Sequence, residues 1–266
     1  MTDSGNEGSV HRLTFGQTTH VGQIRENNQD AAWSFVSRGD SAEGEADFGL
    51  FVLADGMGGH EHGERASAIA VRKVTSEIIQ HVFTPMMTGS NEMSPAFEAM
   101  QNGVEKANGA ILSEIPDGGT TLTTALIMGD ILYIAHIGDS RAYIMTADNF
   151  EQLTEDHSME KRLADLDALD PDDDFPMKNM LYRSLGLRED AEADTIRRRL
   201  PAEMTLLLCS DGLWNLVKDD EIEAKLREPG VHPQSICDTL VRLANAYGGH
   251  DNISVVIART GIPETS

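Results

Sequence analysis

Cysteine is almost missing from this 266-residue chain, with Cys209 and Cys237 the only two. Two thiols make no disulfide framework, so the fold must rest on a core, and a reducing cytoplasm is the expected location. Cys209 follows Leu206-Leu207-Leu208 and reads as a small core residue. A cysteine-nucleophile phosphatase needs an arginine six residues later to hold phosphate, and that position is Asn215. No apolar run approaches the ~18 residues of a membrane helix. Met1 to Ser9 lacks the basic and apolar regions of a signal peptide. Basic residues are scarce: 21 Lys and Arg stand against 44 Asp and Glu, a formal net charge of −23. That field repels nucleic acid and anionic membrane, so neither is an expected partner, whereas cations and basic peptide sequence are attracted. The same charge also serves solubility. There is no Gly-x-Ser-x-Gly elbow and no Gly-x-x-x-x-Gly-Lys-Ser/Thr phosphate loop. Gly59-His60-Glu61-His62 lacks the spacing of a His-Glu-x-x-His zinc site.

What is present is enough apolar sequence, 40%, for a substantial core. No internal repeat and no Pro- or Ser-rich linker divides the chain. Residues 1–10 are expected to be a loose tail, and 11–260 a single catalytic domain. Strands are expected at Leu13 to Thr19, Ala31 to Ser37, Gly49 to Ala54, Thr121 to Met128, Ile131 to Ile137, Arg141 to Met145, Thr195 to Arg198, Thr205 to Cys209 and Ile253 to Ala258. Arg38 to Asp47 reads as a hairpin loop. Ala66, Ala70, Val74, Ile78 and Val82 form one helical stripe, with a break at Pro85 and Thr88 to Asn91. Phe97 to Ile111, Asp219 to Leu226 and Ile236 to Tyr247 predict further helices, with a short turn at Leu213 to Val217. Ser158 to Asn179, with a short helix at Glu160 to Leu169 and the acidic breaker Asp170 to Pro176, reads as a surface excursion. Strands and helices in blocks, joined by hairpin turns, predict an α+β fold with antiparallel sheets inside and helices outside.

The stretch Phe51 to His60 ends an apolar run in Asp55 and then a glycine-rich turn. A carboxylate at a strand end beside approachable backbone suits a hard cation such as Mg²⁺ or Mn²⁺. Asp-Gly alone is equally a hairpin turn. The pattern recurs, however, at Gly138-Asp139, Asp211-Gly212 and Asp251-Asn252. Four such corners suggest a carboxylate cluster, which without cations repels itself and raises its own pKa values. Carboxylates around two divalent ions ~3.5–4 Å apart make a hydrolytic site suited to phosphate esters, with a water acidified for attack. Such a site also wants an arginine fork for the phosphate oxygens, and Arg25, in a polar segment before a strand, is the candidate. His136, inside a strand pattern, reads as a satisfied core histidine.

Eight pieces then fall in one order. They are Arg25 to Asp30, Asp55 to His60, Gly119-Thr120-Thr121, Gly138 to Arg141, Leu153 to Ser158, Ser184-Leu185-Gly186, Ser210 to Trp214 and Asp251 to Ser254. Together they make the chain resemble the metal-dependent serine/threonine protein phosphatases of type 2C, in their compact bacterial form. The resemblance implies a central antiparallel β-sandwich flanked by helix pairs, an α-β-β-α four-layer arrangement. It implies that Asp55 bridges two Mn²⁺ or Mg²⁺ ions, that the Gly56 carbonyl binds the second, and that Asp211 and Asp251 hold the first. Asp139, with Asp211, corresponds to a weaker third site. Arg25 corresponds to the phosphate-binding arginine and Asp30 to a carboxylate near the attacking water. Gln29 and Asn252 stand behind the ligands, and 158–179 corresponds to a flap beside the site.

Two departures stand out. Met57 occupies the position after Asp55-Gly56, where many eukaryotic members have a histidine shortly after as general acid, leaving His60 or a water as alternatives. Gln29 stands where a glutamate is common. The resemblance thus implies a cytoplasmic, monomeric phosphatase acting on phosphorylated Ser/Thr proteins, opposing a bacterial Ser/Thr kinase. The competing class is a catalytically weak phosphatase-like module that binds a partner.

Overall fold

The computed structural model describes residues 12–38, 47–58, 61–165 and 180–261. The expected tail at 1–10, most of the expected hairpin loop, His60 and residues 166–179 of the flap expected at 158–179, with its aspartate run, lie outside the described residues.

Two antiparallel sheets pack face to face. One runs in the spatial order β1 (Arg12–His20), β11 (Ile253–Gly261), β10 (Met204–Cys209), β7 (Arg141–Met145), β8 (Phe150–Gln152). The other runs β2 (Asp30–Ser37), β3 (Phe48–Met57), β5 (Leu122–Met128), β6 (Ile131–Ile137), β9 (Asp194–Arg199), with the two-residue β4 (Gly119–Thr120) paired to the end of β3. Alternation along the strands divides the core into three slabs. Phe51, Leu53, Ala125, Ile127, Ile134, Leu206, Leu208 and Val256 point inward and fill the space between the sheets. Their neighbours Leu50, Val52, Leu122 and Leu126 point outward, beneath α1 (Glu61–Ile78) and α3 (Ala96–Glu114). Leu207, Cys209, Val255 and Ile257 point outward on the other side, beneath α5 (Asp211–Trp214), α6 (Asp219–Leu226) and α7 (Pro233–Ala246). Central strands covered on both faces explain the unbroken apolar runs Leu50 to Ala54 and Leu206 to Cys209. Each Leu, Val or Phe side chain of these runs taken fully from water contributes about 1.5–3 kcal/mol. The expected α+β sandwich between helical layers is the fold observed.

The stripe from Ala66 does not stop at Pro85. Residues four apart over-rotate by about 40° per step on an α-helix. A π-helical turn at Ile79–Phe83 accommodates the drift and keeps Val82 buried. Pro85 then starts the short α2 (Thr84–Thr88), where its missing N–H costs nothing, and the chain leaves the helix at Gly89 with φ 64°. Strand β8, three half-buried residues, was too short to show a period. The short helix expected from Leu213 begins at Asp211 itself. The helix expected at Glu160 to Leu169 is α4 (Met159–Asp165) within the described residues.

Candidate active site

Strand ends from both sheets meet at one end of the sandwich. β3 delivers Asp55 and Gly56, and the β6–β7 turn delivers Asp139. The β10–α5 junction brings Asp211, the turn before β11 brings Asp251, and the loop between β1 and β2 brings Arg25 and Gln29. These seven residues, with Met57, Gly58, Thr121 and Leu181, line one cavity of about 260 Å³. Asp30 and Asn252 stand behind its wall. Asp30 is the register partner of Asp55 across β2 and β3.

Local sequence fixes each group. The Asp55 amide donates to Thr121 Oγ1 at 2.9 Å. Its carbonyl accepts from the Thr121 amide at 2.9 Å and from Thr120 Oγ1 at 2.8 Å. Thr121 Oγ1 also lies 2.8 Å from Ser140 Oγ, which ties the Asp55 corner to the Asp139 corner. A Cβ on Gly56 would stand 2.1 Å from the Gly63 carbonyl oxygen, so only glycine lets α1 approach there. Gly138, at φ 115°, needs glycine for the left-handed turn into Asp139. Trp214 Nε1 donates to the Asp139 carbonyl at 3.0 Å and links the α5 corner to the same turn. Asn252 works as a clamp: its amide nitrogen donates to the carbonyls of Val21 and Asn27, and its Oδ1 accepts from the Gln29 amide.

The electrostatics are those of an anionic pocket in which Asp251 is paired with Arg25. Burial, with Asp30, Asp211, Asp139 and Asp251 adding to it, pushes Asp55 well above the usual carboxylate range. Asp139 is pushed up to about 7, by burial first and then by Asp211 and Asp156. Asp211 rises to about 6 through burial and Asp251. Asp30 rises to about 7, mainly through burial, although Ser210 Oγ donates to its Oδ2 at 2.8 Å. Asp30 Oδ1 and Asp211 Oδ1 are buried without a hydrogen-bond partner. Among the described residues that line the cavity the cation is Arg25, whose Nη2 donates to Asp251 Oδ2 at 2.7 Å. Gln29 Nε2 donates to the Gly58 carbonyl at 3.1 Å.

Orphaned carboxylate oxygens and mutual repulsion fit bound divalent cations. Among the described residues, no three His, Cys, Asp or Glu side chains close around a single point. The aspartates are instead spread over the cavity walls. Mg²⁺ takes one or two carboxylates and keeps several waters, so a spread set suits it better than a closed cage would. His136 is fully enclosed between Thr123 Oγ1 and the Glu155 carbonyl, away from the cavity.

Sequence reasoning gave no role to Thr121, Ser210, Trp214 or Leu181. Thr121 and Trp214 carried a signal, since each falls in a short motif beside a candidate aspartate. Leu181 carried none.

A family model described as Protein phosphatase 2C matches residues 20–252. The chain is 32% identical over 252 residues to the serine/threonine phosphatase stp of Listeria innocua, covering 92% of this chain and 94% of that one. Among solved structures, the Mycobacterium tuberculosis serine/threonine phosphatase PstP/Ppp is 29% identical, with a TM-score of 0.75 over 94% of this chain and 99% of that one. A PstP catalytic domain in complex with two manganese ions is 27% identical, with a TM-score of 0.73, covering 94% of this chain and 99% of that one.

Proposed function

The chain belongs to the protein phosphatase 2C family, and from that premise we propose residue roles for its cavity. The protein is a Mn²⁺- or Mg²⁺-dependent serine/threonine phosphatase acting on phosphoproteins. The observation that carries the assignment is the convergence of Asp55, Asp139, Asp211 and Asp251 on one cavity with Arg25 at its rim.

Asp55, the Gly56 carbonyl, Asp211 and Asp251 hold two divalent ions, and Asp139 with Asp211 holds a weaker third. Bound there, the ions supply charge stabilisation for the phosphoryl oxygens and a water acidic enough to attack near neutral pH. Arg25, half exposed at the rim, turns its planar fork to the phosphate. Asp30, buried behind Asp55 with Oδ1 unpartnered, orients the attacking water. Phosphate transfers directly to water. The Thr121 hydroxyl, engaged by the Asp55 amide and Ser140, is not free to act as a nucleophile. Met57 lines the cavity and has no proton for the leaving oxygen. Gln29 and Asn252 hold the Arg25 loop against the β11 corner.

The physiological setting is a cytoplasmic monomer opposing a Ser/Thr kinase. The free, buried Cys209 and Cys237 fit the reducing compartment of that reading. The deciding experiment is p-nitrophenyl phosphate and phosphopeptide turnover with Mn²⁺, with and without chelator. Turnover that needs the metal is expected. Absent or metal-independent turnover would favour a partner-binding module instead.

A further inference from the structure

His157 does not line the cavity, yet it is 1% exposed and makes polar contacts on both ring nitrogens. Its Nδ1 accepts the Gly138 amide at 3.0 Å, and its own amide donates to the Gly138 carbonyl at 2.7 Å. This reciprocal pair closes on the residue before Asp139. An Nδ1 that accepts cannot carry the proton, so in the neutral ring the proton is on Nε2. Nε2 then donates to Asp194 Oδ2 at 2.9 Å. Arg183 Nη1, 3.0 Å from the same nitrogen, has no lone pair to meet there, and it serves the other oxygen, Asp194 Oδ1, at 2.9 Å.

The His157 carbonyl accepts the Tyr182 amide at 2.9 Å, and the Tyr182 ring lies against the imidazole at 5.7 Å. Beside it Ser158 bridges Leu181, and the Met159 amide donates to the Met180 carbonyl at 2.8 Å. Leu181 is a wall of the cavity. The ring thus joins the Asp139 turn to the start of β9, while the His157 carbonyl and the packing of Tyr182 on the imidazole tie in the stem that carries Leu181.

We infer that His157 is a positioning residue: its Nδ1 bond to the Gly138 amide sets the Asp139 carboxylate relative to the Leu181 wall. The inference rests on the proposed role of Asp139 in the cavity. A space-filling core residue would also explain the burial, but any apolar ring would then serve. The two nitrogens are instead used separately, one for each side of the junction.

Two substitutions separate those sides. His157→Asn places an amide oxygen near the Nδ1 position and retains the Gly138 acceptor while losing Asp194. His157→Gln reaches the Nε2 position and retains Asp194 while losing Gly138. With p-nitrophenyl phosphate and saturating Mn²⁺, His157→Gln is expected to lose about 10–100-fold in kcat per folded molecule, as for partners that orient metal ligands. His157→Asn should stay within a few-fold of wild type. Amide exchange at Gly138 and Asp139, measured in chelator, should accelerate in the glutamine variant and not in the asparagine variant.

Equal activities, a better glutamine variant, or unchanged exchange in both would overturn the inference. So would a ¹⁵N spectrum of the wild-type protein with the His157 proton on Nδ1, a measurement that needs neither variant to fold. An inactive wild type would instead indict the proposed site, and the exchange and tautomer arms would still decide the role of His157.

Discussion

Arg25 and Asp251, 226 residues apart in sequence, are joined at 2.7 Å with side chains 52% and 36% exposed. A bridge that open contributes at most about 1 kcal/mol to stability. Arg25→Ala should therefore leave the thermal midpoint nearly unchanged. Its effect should appear in kinetics, with KM for phosphoesters raised, kcat lowered, and kcat/KM down about 10–100-fold, matching the ~1.5–3 kcal/mol of a hydrogen bond to a charged group. Unaltered kinetics, together with unchanged inhibition by free phosphate, would return Arg25 to the ordinary surface.

Asp211→Asn should cut metal-supported turnover at least about 100-fold, beyond what outer partners of a metal cost, while the fold persists. Asp211 Oδ1 has no hydrogen-bond partner and the group sits beside Asp251. Removing its charge relieves repulsion, so the chelated variant should melt no lower than chelated wild type. Activity within a few-fold of wild type at saturating Mn²⁺ would remove Asp211 from the site.

Asp139→Asn should slow turnover while two tight metal sites remain in calorimetry. The asparagine keeps the backbone carbonyl that Trp214 holds at 3.0 Å, so the turn itself is preserved. Loss of both tight sites would show that Asp139 serves the core pair.

Gln29→Glu should lower the half-activating Mn²⁺ concentration, because an ionised acceptor makes a hydrogen bond roughly twice as strong as a neutral one. The substitution removes the donor that Gln29 gives the Gly58 carbonyl at 3.1 Å, so a modest fall in stability should accompany the gain. An unchanged or higher half-activating concentration would mean that position 29 does not face the metals.

Metal removal should interact with pH. Asp30, Asp139 and Asp211 titrate near 7, 7 and 6 in the fold against 3.8 ordinarily. A carboxyl group raised in this way contributes stability that is fully present below about pH 4 and is lost as pH climbs through 6 to 7. His136 and His157, both lowered by burial, act in the opposite sense, losing stability as pH falls below about 6.5. The histidines contribute equally with and without metal, so the readout is the difference between the two states. The gain in thermal midpoint on adding Mn²⁺ should be larger at pH 7.5 than at pH 5. An equal or smaller gain at pH 7.5 would argue against a carboxylate cluster that awaits cations.

The sandwich was legible because doubly covered strands such as Leu206 to Cys209 are apolar on both faces, and because α3 and α7 repeat at helical spacing. The aspartate corners were legible because each ends an apolar run at a glycine or asparagine. What could not be read is whatever depends on distant backbone. The Thr121 hydroxyl joins Asp55 to Ser140 only once β5 lies between them. The assignment of His157 needs Asp194 and Gly138, which are far from it in sequence and are brought together by β6 and β9. The π turn after Ile78 has no compositional mark beyond the slow drift of its stripe.

Strand β11 carries a consequence for biosynthesis. It is the last strand among the described residues, yet it lies in the interior of its sheet, hydrogen-bonded to β1 on one side and β10 on the other. Until Ile253 to Gly261 has left the ribosome, β1 and β10 have no shared partner. Both then present unpaired edges of the kind that recruits other chains. Asp251, just before that strand, also reaches Arg25 only when it inserts. A nascent chain therefore has to keep two open edges apart until β11 emerges, and dephosphorylating capacity arises at that step rather than accumulating with length.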